Sequence, residues 1–167
     1  MVMRPDIPEP AEFAMIKGIA ITTVWVLDQD RAKEFYTDRL GLEVRTDMTI
    51  GGEKGMRWLT VGARSQPDVE ITLMVPGPPA LDAEAAQAVR ELVGKGALGA
   101  GVLRTDNVRY DYETLKARGV EFLQPPQERP YGTEAIFRDD SGNWFSLTQR
   151  REQLDPDQEW GEYVDPM

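Results

Sequence analysis

The side chains that most often perform catalysis are missing from this chain. Its 167 residues include no histidine and no cysteine. Histidine is the commonest general base and transition-metal ligand, and serine–histidine or cysteine–histidine nucleophile schemes require it. Carboxylates, hydroxyls, arginines and aromatic rings remain for chemistry. A metal site would therefore need oxygen ligands alone, which suits magnesium, calcium or manganese.

Few acid–base candidates remain, and each also has a structural interpretation. Asp139 and Asp140 are neighbours and could form a carboxylate pair, but the Ser-Gly dipeptide that follows them predicts a turn. Tyr131 lies in a proline-rich segment, where it would line the mouth of a pocket or pack within a loop. Glu70 lies on a predicted strand and could act as an acid or base.

Two stretches with the same order of signals must position these residues. Residues 24–44, VWVLDQDRAKEFYTDRLGLEV, predict a strand, a capping aspartate, a helix, a terminating glycine and a second strand. Residues 102–122 repeat this order at one constant offset, so that Asp28 corresponds to Asp106 and Gly41 to Gly119. The repeat indicates an internal duplication, with β, α, β, β, β elements in each half.

The remaining patterns complete a single-domain plan. Residues 1–15 form a proline-rich arm, residues 16–149 the domain, and residues 150–167 a charged tail that is either solvated or folded back through Trp160 and Tyr163. The modules span about 16–76 and 99–149, and a linking helix spans 81–94. The predicted strands are 16–27, 42–48, 56–61, 69–75, 102–105, 120–123, 133–138 and 143–149, with a helix at 108–118 and a loop at 125–132.

Charge and hydropathy exclude several partners. The net charge of −10 repels phosphate backbones, so nucleic acid is not an expected partner. No apolar run approaches the roughly 20 residues that span a bilayer, and the N-terminal residues lack the apolar centre of a signal peptide. We therefore expect a cytoplasmic protein without a membrane partner.

Three segments, FYTDRLGLEV, LKARGVEF and FRDDSGNWFSL, together resemble the vicinal oxygen chelate superfamily. That superfamily includes glyoxalase I, extradiol dioxygenases, fosfomycin-modifying enzymes and bleomycin-resistance proteins. The resemblance implies an α+β fold of two βαβββ modules, which form a curled mixed sheet around a shared cavity, and a homodimer. The C-terminal part resembles glyoxalase-like proteins more than a characterised enzyme branch.

The metal positions that the resemblance implies do not carry metal ligands here. They correspond to Ile21, Thr72, Ala100 (or Gly99, if the alignment slips by one) and Ser146. Alkyl groups and two hydroxyls cannot replace histidines and carboxylates around a divalent ion. We therefore expect no metal and no other cofactor, as in the bleomycin-resistance branch, and we assign no catalytic residue.

The implied cavity predicts a ligand-binding face by strand parity. Trp25 and Trp144 would supply flat apolar walls, and the hydroxyls of Thr23, Thr72 and Ser146 would supply polar anchors. The predicted ligand-binding residues are Ile21, Thr23, Trp25, Thr72, Val102, Arg104, Tyr131, Trp144 and Ser146, and Ala100 shares their face. Glu70 and Arg104 have the same parity, and each would need a partner if buried. The alternative is that these side chains fill an ordinary closed core.

Three functions remain open at this point. The first is a metal-independent protein that binds an aromatic or drug-like molecule and confers antibiotic resistance by sequestration. The second is an enzyme of the same superfamily (lyase, isomerase, hydrolase or dioxygenase-like) acting on an unknown small molecule. A dioxygenase would need iron, which two histidines and a carboxylate normally hold. The third is a dimerising or regulatory domain without a small ligand.

Overall fold

The computed structural model describes residues 16–160 and has the predicted α+β architecture of two βαβββ modules. The first module contains β1 (Ile21–Trp25), α1 (Gln29–Glu34), β2 (Glu43–Ile50), β3 (Met56–Gly62) and β4 (Glu70–Met74). After the linking helix α2 (Ala83–Gly94), the second contains β5 (Gly99–Arg104), α3 (Val108–Ala117), β6 (Glu121–Arg129), β7 (Gly132–Arg138) and β8 (Trp144–Arg150). A π-helical turn (Phe35–Arg39) continues α1, and a 3-10 turn (Gly52–Lys54) precedes β3.

Each module forms its own four-stranded mixed sheet. The strand orders are β1-β4-β3-β2 and β5-β8-β7-β6, which are the same order within each module, as a duplication requires. The first strand of each module pairs in parallel with the fourth, and the other pairs are antiparallel. β1, β2, β5 and β6 are therefore the sheet edges.

Local signals explain where the module helices begin and end. Asp28 accepts hydrogen bonds from the backbone N–H groups of Asp30 and Arg31, both at 2.9 Å, and so caps α1 as predicted. In the second module the prediction of Asp106 as the cap is wrong. α3 begins at the predicted residue, Val108, and Asn107 caps it by accepting a bond from the N–H of Tyr110.

One hydrophobic core joins the two modules. The inner faces of both sheets contribute to it, with Val24, Leu59 and Leu73 from the first and Phe137 and Phe145 from the second. Because side chains alternate along a strand, the opposite face of each sheet lies away from this shared core. These are called the outer faces below.

The turn between β7 and β8 also ties the modules together. One carboxylate oxygen of Asp139 accepts three backbone N–H bonds at 2.8–2.9 Å, from residues 141–143, which confirms the turn interpretation of this residue. Its other oxygen accepts bonds from Tyr36 and Asn143, each at 2.8 Å. The same turn contacts the end of β1: Ser141 accepts a hydrogen bond from the N–H of Leu27, and Asn143 donates one to the carbonyl of Trp25. The contact between this turn and the first module is called the inter-module joint.

Two predicted segments differ from the structure. The segment predicted as a loop, residues 125–132, belongs mostly to β6, which runs through Pro125 and Pro126 to Arg129. Prolines are tolerated there because β6 is an edge strand, and its pairing is irregular between Gln124 and Gln127. The first strand is shorter than predicted because residues 16–20 lie outside the sheet.

Candidate functional site

A cavity of about 450 Å³ lies on the outer face of the second sheet. Three adjacent strands and the β6–β7 turn form it. It is lined by Val102, Arg104, Tyr131, Glu134, Ser146, Thr148 and Arg150. The register explains the grouping, because Val102 pairs with Ser146, Arg104 with Thr148, and Glu134 with Thr148 from the other side.

Glu134 is the centre of a polar network in this cavity. Its Oε2 atom accepts hydrogen bonds from the Tyr131 hydroxyl at 2.8 Å and from the Ser146 hydroxyl at 2.7 Å. The Ser146 and Thr148 hydroxyls are also 2.7 Å apart. The other carboxylate oxygen of Glu134, Oε1, lies 3.5 Å from Nε of Arg129. The cavity floor therefore presents hydroxyl groups held in place by one carboxylate.

Arg129 compensates the charge of that carboxylate. Its side chain is only 3% exposed, that of Glu134 is 12% exposed, and Arg129 also donates to Oε1 of Gln124 at 2.9 Å. A buried carboxylate needs such a partner because an unpaired buried charge is strongly destabilising.

Four predicted ligand-binding residues meet in this cavity. They are Val102, Arg104, Tyr131 and Ser146. Trp144 lies two residues before Ser146 on the same outer face, opposite Arg138 on β7. Its role in ligand binding stays a prediction, as do those of the other residues.

The remaining predicted residues lie on the first sheet. Ile21, Thr23 and Trp25 alternate along β1 on its outer face, and Thr72 pairs with Thr23. The Thr72 hydroxyl is buried and has no hydrogen-bond partner among the described residues. The structure thus places the predicted residues on two sheets, in two separate groups.

Ala100 was expected on the ligand face, and this expectation is wrong. It packs against the hydrophobic core. A register irregularity between Gly99 and Gly101 breaks the alternation at this point, so simple parity assigns the wrong face.

The two candidate acid–base residues are not in one site. Glu70 is on β4 of the first sheet, whereas Tyr131 lines the cavity of the second. Glu70 and Arg104 form no ion pair with each other among residues 16–160.

Sequence reasoning missed Glu134, Thr148 and Arg150. The sequence did carry a signal for Glu134, because alternation along the predicted strand 133–138 places it on the face opposite Ala135 and Phe137, both of which are buried in the structure. Thr148 and Arg150 continue the parity of Ser146 along β8.

The residues present do not fit the metal that superfamily resemblance implies. The corresponding positions hold Ile21, Thr72, Gly99 or Ala100, and Ser146. Within the described part of the chain, no group of three or more acidic residues could hold a metal ion.

Asp140 has an unusual environment at the edge of the inter-module joint. Partial burial, and then the negative charge of Asp139, raise its pKa to about 6. One of its carboxylate oxygens is buried without a hydrogen-bond partner in the described structure. Burial also raises the pKa of Tyr36 well above its usual value, and Asp139 adds to this shift.

The C-terminal residues that the structure describes reach the cavity mouth. The ring of Trp160 packs edge-on against Tyr131 at 5.7 Å, and Arg151 forms ion pairs with Glu128 and Asp155. Of the two alternatives left open for the tail, Trp160 shows the folded-back one, while Tyr163 lies outside the described residues. None of the described helices is long and apolar enough to cross a membrane.

The chain is similar to a known protein superfamily and to a bacterial relative. The model of the Glyoxalase/Bleomycin resistance protein/Dioxygenase superfamily matches residues 18–147. The protein YetH of Bacillus subtilis (strain 168) is 32% identical over 135 residues, which cover 81% of this chain and 100% of YetH.

Two solved structures are also similar. The crystal structure of UcmS2 is 54% identical, with a TM-score of 0.74, and the match covers 80% of this chain and 98% of that one. TnmS3, described as an antibiotic binding protein from Streptomyces sp. CB03234, is 31% identical with a TM-score of 0.64, over 81% and 98% of the two chains.

Proposed function

Because this chain belongs to the glyoxalase/bleomycin resistance protein/dioxygenase superfamily, we propose that it is a metal-independent protein that binds an aromatic or drug-like molecule and sequesters it. The observation that carries the proposal is the cavity on the second sheet, where Ser146, at a position for which the superfamily resemblance implies a metal ligand, is part of a hydroxyl network. The similarity to TnmS3, an antibiotic binding protein, supports the same class of function.

The cavity has the composition of a small-molecule site. Val102 is 67% exposed and offers an apolar surface beside the Tyr131 ring. The hydroxyls of Ser146 and Thr148 provide fixed hydrogen-bonding positions. Pockets for organic ligands combine apolar walls with a few oriented polar groups in this way.

Glu134 has a positioning role in this proposal. Two hydroxyl donors and the guanidinium of Arg129 already occupy the carboxylate. It therefore orients the Tyr131 and Ser146 hydroxyls, and no acid–base step is assigned to it. The function requires binding alone.

We include a homodimer and a cytoplasmic location in the proposal. Exposed apolar side chains on the outer face of the first sheet support a second copy, and they include Ile21, Met48 and Ile50. Light scattering after size exclusion should give twice the chain mass; a monomer at micromolar concentration would contradict the dimer.

A thermal-shift screen tests the function directly. One arm contains manganese, nickel, zinc or magnesium, and the other contains aromatic metabolites and natural-product antibiotics. A ligand at about 100 times its Kd stabilises the native state by about 2.7 kcal/mol, so a hit among the organic compounds gives a clear rise in Tm. We expect no saturable rise with any metal; such a rise would overturn metal independence.

Two matched threonine variants locate the binding site. Thr148→Ala removes a hydroxyl from the cavity, and Thr46→Ala makes the same change on the first sheet. Calorimetric titration with an organic hit should show weaker binding for Thr148→Ala only. Equal Kd values for both variants and the native protein would place the ligand elsewhere.

A further inference from the structure

Two arginine side chains at the cavity mouth have no partners within residues 16–160. Arg104 and Arg150 are exposed, both line the cavity, and neither guanidinium forms a hydrogen bond or ion pair in that part of the chain. Most of the other described arginines have partners, and examples are Arg57 with Asp30 and Asp47, and Arg151 with Glu128 and Asp155. Two unused guanidiniums in one cavity therefore stand out.

Their positions in the sheet bring them close together. Arg104 pairs with Thr148 in the parallel β5–β8 register, and Arg150 lies two residues further along β8 on the same face. Strand spacing and rise place their backbones roughly 8 Å apart. Two flexible guanidiniums at that spacing can reach one anionic group together.

The cavity carries the opposite charge sign to the whole protein. The chain has a net charge of −10. In the cavity, the charge of Glu134 is compensated by Arg129 behind it, which leaves the two mouth arginines. Asp106 and Asp111 line the adjoining groove, where Asp111 bonds to Thr105. A local positive potential on an acidic protein selects and steers an anion.

Resting on the proposed function, we propose that the ligand is an organic anion. Its apolar body contacts Val102 and the Tyr131 ring, and its acidic group, a carboxylate or an ionised phenol, binds Arg104 and Arg150. Because Ser146 donates its proton to Glu134 and Thr148 donates to Ser146, these two hydroxyls accept hydrogen bonds from neutral hydroxyl groups of the same molecule. Arginine suits this role because its planar donors match the geometry of a carboxylate.

Three probes that differ only in charge test the ligand class. A naphthoate, the corresponding naphthamide and naphthylmethylamine share one ring system and are anionic, neutral and cationic at neutral pH. Calorimetric titration of the native chain should give at least about tenfold tighter binding of the naphthoate than of the naphthamide. Salt of about 0.5 M should reduce that ratio, because exposed charges are screened.

Arginine variants locate the preference. Arg104→Gln and Arg150→Gln should each reduce the naphthoate-to-naphthamide ratio about threefold, the size typical of a partly exposed ion pair. The double variant should reduce the ratio almost to one. The matched control is Arg64→Gln, which removes the same charge from a side chain that is 88% exposed and lies outside the cavity lining. It should leave the ratio unchanged.

The outcomes separate this inference from the proposed function. If the naphthamide or the amine binds as tightly as the naphthoate, and Thr148→Ala weakens that binding, the anion preference is refuted while the binding function stands. If Arg64→Gln reduces the naphthoate-to-naphthamide ratio as much as Arg104→Gln and Arg150→Gln do, the assigned site is refuted. If none of the three probes binds, the anion inference is refuted, and the thermal-shift screen decides the binding function separately.

Discussion

The hydrogen bond between Tyr36 and Asp139 offers the sharpest test of how the two modules are held together. The phenol donates to a carboxylate oxygen at 2.8 Å, Tyr36 is fully buried and Asp139 is 6% exposed. Tyr36→Phe removes the hydroxyl and keeps the ring, so the edge contacts with Phe35 and Phe145 at 5.6 and 6.1 Å persist. The variant therefore reports on one bond.

The expected loss follows from the charge and burial of the acceptor. A hydrogen bond to a charged group contributes about 1.5–3 kcal/mol, and a buried acceptor left without it is not compensated by water. Asp139 keeps its other hydrogen bonds, from residues 141–143 of its own turn. We therefore expect a loss of about 2 kcal/mol in the free energy of unfolding, which corresponds to a fall in Tm of roughly 4–8 °C.

Urea denaturation followed by circular dichroism measures the loss, and Tyr112→Phe is the matched control. The Tyr112 hydroxyl only accepts a 3.4 Å contact from Lys116 at the surface. Its removal should change the free energy of unfolding by less than about 0.5 kcal/mol. If the two variants lose the same stability, the buried bond does not hold the joint, and the reasoning from burial fails.

Three further predictions follow from particular contacts. Asp140 has a folded pKa raised to about 6, so its charge penalises the native state above pH 6, and the penalty disappears as the pH falls toward its unfolded value of about 3.9. Asp140→Asn should therefore stabilise the chain by about 1 kcal/mol at pH 7.5, allowing for partial exposure, and not at pH 4; equal urea midpoint shifts at both would contradict this. Trp160→Ala removes the ring that packs against Tyr131 and should weaken the binding of an organic hit a few-fold. The Tm should change little, because Trp160 is 57% exposed. An unchanged Kd would show that the tail does not support the cavity. In Gly99→Ala the new methyl would lie 2.6 Å from the Trp144 ring. We expect a loss of about 1–3 kcal/mol in the free energy of unfolding and a shift in tryptophan fluorescence emission. A variant as stable as the native protein would refute the close contact.

Features decided by a few neighbouring residues could be predicted from the sequence. Asp28 caps α1, and Gly41 and Gly119 follow the module helices with φ values of 77° and 83°, which glycine adopts without strain. The order of elements in both modules was also predictable, because the same signals occur twice.

Features decided by the position of a strand in its sheet could not be predicted in this way. Pro125 and Pro126 normally argue against a strand, yet β6 contains both because it lies at a sheet edge. Ala100 faces the core because of an irregular register with β8. Both depend on which strands become neighbours, and that information is spread over distant parts of the chain.

The candidate site shows the same division. Alternation along β5 and β8 was sufficient to place Val102, Arg104 and Ser146 on one face, and the structure brings them into one cavity with Tyr131. Alternation did not reveal that β7 lies between β8 and β6, which brings Glu134 against Ser146. The partner of a polar residue on a strand can be assigned only when the adjacent strand is known.

The pairing of Ser146 with Glu134 argues against a metal ion in this cavity and supports the proposed organic ligand. Where superfamily resemblance implies a carboxylate ligand on β8, this chain has a hydroxyl, and its nearest carboxylate is on the adjacent strand. That carboxylate faces Arg129 at 3.5 Å, and two hydroxyls donate to it. A divalent cation would have to displace Arg129 or lie beside an uncompensated guanidinium, which electrostatic repulsion opposes. The same pair leaves the hydroxyls oriented and, within residues 16–160, the guanidiniums of Arg104 and Arg150 without partners, and both features support the proposed organic anion.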